Sequence, residues 1–287
     1  MCYYNGTKVT RTEYIRLKHL EKLVANYTFL ERDVINGFDF GLTAILKPIA
    51  GKEDFDIVPM EWGFIPDPMG WPFIETREQL SNVRMGYKDA RGKWNEGMNF
   101  LNAIGEEIVK PGKVYRKAAQ QRRCIFLSSG YFEWRHIYPL NKRTGEPLKT
   151  AKKYPYRVGQ KDKDYFLIAG IWQEWTDAET GETVETCAMT TTAGNEITSQ
   201  IHNSKSRMPT VLTEELAWEW MFANPDDQRI TAIASYTLPW QEISYYTLAK
   251  DFLSSPEPWK EYFYKDLPPI IVPGQETTPM EGQLELF

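Results

Sequence analysis

Residues 122–134 read RRCIFLSSGYFEW, two apolar runs on either side of Ser128-Ser129-Gly130, and the reading of that break decides the fold. β-Branched and aromatic side chains at 125–127 and 131–134 favour extended backbone, and Ser-Ser-Gly interrupts it, so the segment reads as two strand halves about a break. Upstream, KVYRKAAQQRR (113–123) reads as helix. Downstream, residues 138–153 are rich in Lys, Pro, Thr and Gly and read as a hairpin tip or an insertion. YPYRVG (154–159), DYFLIAGIWQEW (164–175) and ETVETCAMTTTA (182–193) then read as three strands, the last two joined by turn chemistry around Asp177 to Gly181. Further out, LTAILKPI (42–49) and FDIVPMEWGFIP (55–66) are strand-like, a short helix follows Thr76, and TEELAWEWMFA (213–223) is a helix with Thr213 as N-cap. TRTEYIRLKHLEKLVANYTFL (10–30) is expected to be an amphipathic helix with Thr10 and Glu13 as a capping box. ITAIASYTL (230–238) and EISYYTLAK (242–250) are expected to be strands. Strands mixed with a few helices, without βαβ alternation, give an α+β class with a largely antiparallel, barrel-like core.

The 287 residues carry a net charge of −5, so nothing global argues for nucleic acid. Any such contact has to rest on local cations: Lys110, Lys113, Arg116 and Lys117; Arg122 and Arg123; Lys149, Lys152 and Lys153; Lys205 and Arg207. The alternative for each group is a solvated face. Three widely spaced cysteines, Cys2, Cys124 and Cys187, argue against a disulfide framework and for a reducing compartment. With neither a basic-then-apolar leader nor a run of ~20 apolar residues, the expectation is a cytoplasmic protein without membrane contact. The cysteines and His19, His136 and His202 lack the close pair spacing of zinc sites, and no Gly-rich phosphate loop is present. No metal and no cofactor is expected.

Four residues stand out chemically. Cys2 follows the initiator methionine, and removal of Met1 would place a free α-amine beside a thiol. Such an aminothiol condenses with an aldehyde to an imine and closes a thiazolidine; the bland reading is a small hydrophobe. Glu133 sits among large aromatics that would desolvate a carboxyl and suit it to proton transfer, unless it points to solvent. His202 opens a polar, basic loop, as a titrating or as a structural histidine. Asn102 lies between apolar and acidic residues, either as a buried hydrogen-bonding amide or as a helix cap.

Cys2, WGFIP (62–66), LNAIGEE (101–107), RRCIFLSSGYFEW (122–134), IAGIW (168–172), TTAGN (191–195) and IHNSKSRMP (201–209) occur in one order. That order resembles the SRAP family, the SOS response-associated peptidases or abasic-site-processing proteins, from Cys2 to about Trp220. The resemblance implies a single α+β domain, taken as residues 1–265, with a single-stranded-DNA groove leading to the amino terminus; the tail over 266–287 lies outside the resemblance and, rich in Pro and polar residues, is expected to be flexible. It implies that Cys2 forms a thiazolidine crosslink with the sugar aldehyde of an abasic site. Asn102 would orient the Cys2 end, and Glu133 and His202 would move protons. Trp71, Thr191, Lys205 and Arg207 fall near the DNA. Departures are present: the family's CGR start is Cys2-Tyr3-Tyr4 here, and Ile104 replaces the arginine of NAR, which removes two cations from phosphate binding. Two other classes of function stand beside this one, a thiol peptidase using Cys2, possibly autoproteolytic towards Met1, and a non-catalytic single-stranded nucleic-acid binding module. The protein is expected to act as a monomer. Gln283, Leu284, Leu286 and Phe287 lie in QLELF, which resembles the short motif that docks bacterial repair proteins on the sliding clamp.

Overall fold

The computed structural model describes residues 2–9, 11–67 and 74–274. Its central event is at the Ser-Ser-Gly break. The strand Arg123–Ser128 belongs to one sheet, and the strand Gly130–Ile137 that follows directly belongs to another. Asn5 holds the switch: its Nδ2 donates to the Leu127 carbonyl at 3.4 Å and its Oδ1 accepts from the Ser128 hydroxyl at 2.6 Å. The Ser129 amide donates to the Gly6 carbonyl at 2.8 Å. Asn5 is fully buried, and these partners offset the desolvation of its amide.

The first sheet is antiparallel, in the order Ile243–Thr247, Lys152–Gln160, Gly130–Ile137, Tyr4–Gly6, Ile35–Asn36. In the second, Thr183–Ala193, Phe55–Trp62, Leu42–Pro48, Arg123–Ser128 and Phe166–Thr176 pair in turn, and the last pairs back with the first. This closes a ring. Thr183–Ala193 pairs in parallel with Phe55–Trp62 and with Asn102–Ile104; the other pairings of this sheet are antiparallel. The expected α+β, barrel-like fold is therefore what forms. Helices Arg116–Gln121 and Glu214–Phe222 cover the ring, and Trp220, fully buried, donates its indole N–H to the carbonyls of Cys124 and Gly170 at 3.1 and 3.0 Å. The short helix after Thr76 is present as Arg77–Met85 with a capping box at Thr76.

Two elements differ from the expectations. Residues 14–23 form a hairpin, Tyr14–Leu17 against Leu20–Leu23, with the turn at Lys18, whose φ is +52°. Ile15 and Leu17 are buried and Arg16 is exposed, a period of two that the looser helical spacing of Tyr14, Leu17, Val24 and Tyr27 had obscured. Thr10, half of the expected capping box, lies outside the described residues. Conversely, Asp227–Ala234 is a helix where a strand was expected. Its signal was Asp226, which accepts from the Arg229 amide at 2.8 Å as N-cap, and Ile230, Ile233 and Ala234 bury one face at helical spacing.

Beyond Tyr264 the chain lies without regular structure and docked as far as Val272. Arg135 donates to the carbonyls of Pro268 and Pro269 at 2.5 and 3.4 Å, and Gln200 exchanges two 2.8 Å hydrogen bonds with the backbone of Ile271. Residues 283–287, with Gln283, Leu284, Leu286 and Phe287, lie outside the described residues. Among the described residues no helix is long and apolar enough to cross a membrane.

Candidate active site

The sheet switch brings the amino terminus beside the second strand half. Tyr4–Gly6 pairs with Gly130–Ile137, and the loop 202–206 is tied to the same strand from the other side. That tie is reciprocal: the Asn203 side chain accepts from the His136 amide at 2.9 Å and donates to the His136 carbonyl at 2.7 Å. A cleft of about 430 Å³ results, with Glu133 and His202 in its wall together with Tyr3, Tyr4, Phe38 and Trp134.

Cys2 is fully buried behind this wall. Its carbonyl accepts from Asn102 Nδ2 at 2.8 Å, and its thiol donates to the Tyr4 carbonyl at 3.4 Å. Burial first, and then the neighbouring Glu133 charge, push the thiol pKa well up. Asn102 is thus a buried hydrogen-bonding amide at a strand start, not a helix cap. It is held because Asn102–Ile104 pairs with Thr183–Ala193 and because Gly105 lets the chain pass Ala234: a Cβ there would stand 2.0 Å from the Ala234 carbonyl oxygen.

Glu133 is 5% exposed, and burial pushes its pKa up to about 8. His202 Nδ1 lies 3.7 Å from Glu133 Oε1 and 2.9 Å from the Arg207 carbonyl. A carbonyl only accepts, so Nδ1 carries the proton and Nε2 the lone pair of the neutral ring. Burial draws the His202 pKa down to about 4. At neutral pH the pair is therefore a protonated carboxyl beside a neutral imidazole, whose protonated Nδ1 lies 3.7 Å from Glu133 Oε1 and whose basic nitrogen is Nε2.

The expected DNA contacts separate. Lys205 lies exposed on the His202 loop. Thr191 is fully buried in the sheet, and Arg207 donates to its carbonyl while gripping both carboxylate oxygens of Glu106 at 3.0 and 2.8 Å. Thr191 and Glu106 thus orient Arg207, and Thr191 itself offers no surface contact. Trp71 lies outside the described residues. Several other cations are committed internally: Arg123 is buried, donating to the carbonyls of Ala119, Gln120, Trp220 and Ala223, and Lys110 and Lys113 pair with Glu107. Sequence reasoning missed the aromatic wall. Tyr3 packs on Phe38 with ring centroids 4.6 Å apart, and Tyr4 meets Trp134 edge-on at 5.0 Å. The signal was the Tyr3-Tyr4 pair, two adjacent aromatics where the family's start reads CGR.

The site is thus an α+β ring beside a cleft that carries Glu133 and His202, with Cys2 buried behind the wall. Residues 32–254 match the profile of the SOS response associated peptidase (SRAP) family, and the chain belongs to that family. It is 32% identical over 163 residues to the abasic site processing protein YoqW of Bacillus subtilis (strain 168), covering 56% of this chain and 55% of that one. With the abasic site processing protein YobE of the same organism it is 31% identical over 145 residues, covering 50% and 58%. The matches thus span little more than half the length of these relatives. Among solved structures, a protein from Bacteroides thetaiotaomicron superposes with a TM-score of 0.67 at 25% identity, covering 91% of this chain and all of that one. A phage-related protein from Bordetella bronchiseptica superposes at 0.56 and 17% identity, covering 87% and 95%.

Proposed function

We propose that this protein captures abasic sites in single-stranded DNA through a thiazolidine on Cys2 once Met1 is removed. The observation that carries the reading is the placement of Glu133 and His202, in opposite protonation states, at the cleft that borders the Cys2 end. The relatives' names supply the substrate class.

The chemistry follows from these states. In the chain that retains Met1 the Cys2 nitrogen is an amide, so removal of Met1 must come first. A free α-amine has a pKa near ~8 and is partly neutral at physiological pH, unlike lysine. It adds to the aldehyde carbon of the ring-opened sugar, and the resulting carbinolamine loses water when Glu133 protonates the departing oxygen. The thiol sulfur then bonds to the iminium carbon while its proton passes to His202 Nε2. One water is released, and Glu133 and His202 return to their starting states by proton exchange with solvent. Asn102 holds the Cys2 carbonyl, so amine and thiol stay together and ring closure is effectively unimolecular. Burial holds the Cys2 thiol neutral, so in either the crosslinking or the peptidase reading it needs a base such as His202 to take its proton.

Intact-mass spectrometry after incubation with an abasic oligonucleotide tests this. The expected product is the Met1-less protein plus the oligonucleotide, less one water, stable to heat. Cys2→Ala should give no heat-stable adduct; an undiminished one would remove Cys2 from the mechanism. Cleaved peptide without adduct would instead identify a peptidase. We further propose that QLELF, with Gln283, Leu284, Leu286 and Phe287, docks on a sliding clamp.

A further inference from the structure

A second concavity, of about 360 Å³, is lined by Lys8, Arg11, Arg157 and Lys163, with Asp164 the carboxylate among them. Arg157 stands opposite Phe132 in the sheet, one residue from Glu133. Since side chains alternate along a strand, the cavity lies on the face away from Glu133. Its floor is built for the guanidinium. Gly130 and Gly6 face each other across two strands; a Cβ on Gly130 would stand 2.7 Å from Arg157 Nε, and one on Gly6 2.9 Å from the Trp259 ring. Arg157 lies over Trp259 at 4.4 Å and beside Tyr246 at 5.5 Å, and the Tyr246 hydroxyl ties the two rings together by donating to the Trp259 carbonyl at 2.9 Å. One arm of the fork donates to the Ser129 carbonyl, and Nε is buried with no hydrogen-bond partner among the described residues. Lys8 is paired with Asp33 at 2.7 Å, whereas Arg11 and Lys163 have no ion pair with any described residue.

In a chain of net charge −5, four cations converging on one concavity is a local reversal of sign. A guanidinium fixed by stacking loses little freedom when it receives an oxyanion, and its planar fork matches phosphate geometry. We propose that this cavity is an anion site for a phosphate group, anchored by Arg157 and closed from the rim by Arg11 and Lys163. The site stands whether or not Cys2 captures aldehydes. Gly130, under the guanidinium, and Trp134, in the wall of the first cleft, are four residues apart on one strand, roughly 13 Å. A DNA strand seated at the cleft is therefore one source of the phosphate, and free phosphate the other.

The test uses the full chain, inorganic phosphate titrated calorimetrically at fixed ionic strength, and fluorescence anisotropy with single strands of roughly 5 and 15 nucleotides. The variants are Arg11→Glu with Lys163→Glu, both on the rim, and Arg157→Lys, which keeps the charge and loses the fork. Saturable phosphate binding weakened at least about tenfold in both variants supports the site. If the longer strand also binds more weakly and with a shallower salt dependence while the shorter is unaffected, DNA is the source; if strand affinities hold, free phosphate is. Loss confined to the longer strand supports the site with DNA as its ligand, whatever free phosphate does. Phosphate binding and strand affinities that the variants both leave unchanged, equal loss for both strand lengths, or no saturable phosphate binding with unaltered strand affinities would overturn it.

Discussion

Below about pH 8 the buried Glu133 holds its proton, and above about pH 4 the buried His202 has lost its own. The two shifts act oppositely on stability. Glu133 is raised from the ordinary 4.5, so the unfolded chain releases that proton first and stability falls as pH climbs from about 4.5 through about 8. His202 is lowered from 6.5, so its effect is a loss of stability as pH falls from about 6.5 towards 4. Glu133→Gln should therefore stabilise the protein relative to wild type at pH 9 by about 1 kcal/mol or more, with little gain at pH 4.5. Thermal melts at the two pH values check it; an equal change at both would mean the carboxyl is not the strained group. For the reaction, adduct formation by wild type should fall above pH 8 as Glu133 ionises. The same variant should be slower by roughly 100-fold and lack that alkaline fall. A variant that also lost affinity for intact strands would show Glu133 to be scaffold rather than proton donor.

At the scale of elements, the sheet switch at Ser128–Gly130 does most to build the site. It sets the strand bearing Glu133 against the amino-terminal strand, and its hydrogen bonds run through Asn5. Asn5→Ala would leave the Leu127 carbonyl and Ser128 hydroxyl without these bonds in a buried setting, a loss of about 1–3 kcal/mol, read as a lower urea midpoint. Crosslinking should slow with it, since both reacting walls hang from this kink; an unchanged midpoint would show that the backbone ladder alone holds the switch. The break was legible because Ser-Ser-Gly interrupts two apolar runs. The sheet change was not, because hydrogen-bond partners 122 residues apart are invisible to local pattern. The same limit explains the hairpin at 14–23, where a period of two over four residues was outweighed by an accidental helical spacing. The helix at 227–234 was missed for the opposite reason, its Asp226 cap being passed over for the β-branched residues that follow.

At the scale of the whole molecule, some of the charge among the described residues is tied up inside it. Arg123 shows this best: its four carbonyl partners lie at the ends of the helices Arg116–Gln121 and Glu214–Phe222, where backbone oxygens lack helical partners. A cation counted from the sequence as a DNA contact is thus a joint between two helices and the ring. At the far end of the chain, deletion of residues 283–287 should abolish co-elution with a sliding clamp on gel filtration and leave adduct formation unaltered. Unchanged co-elution would dispose of the clamp proposal.

Short-range pattern was sufficient for the fold class, through strands without βαβ alternation, and it singled out the candidate groups: a cysteine after Met1, a glutamate among aromatics and a histidine before a basic loop. Those are properties of neighbouring residues, and composition and spacing carry them. Only the folded chain decided that Glu133 and His202 meet at 3.7 Å, that Asn102 holds the Cys2 carbonyl, and that Arg207 turns to Glu106. Each of these depends on burial and on partners far away in the chain, where the loss of water and a neighbouring charge set protonation and orientation.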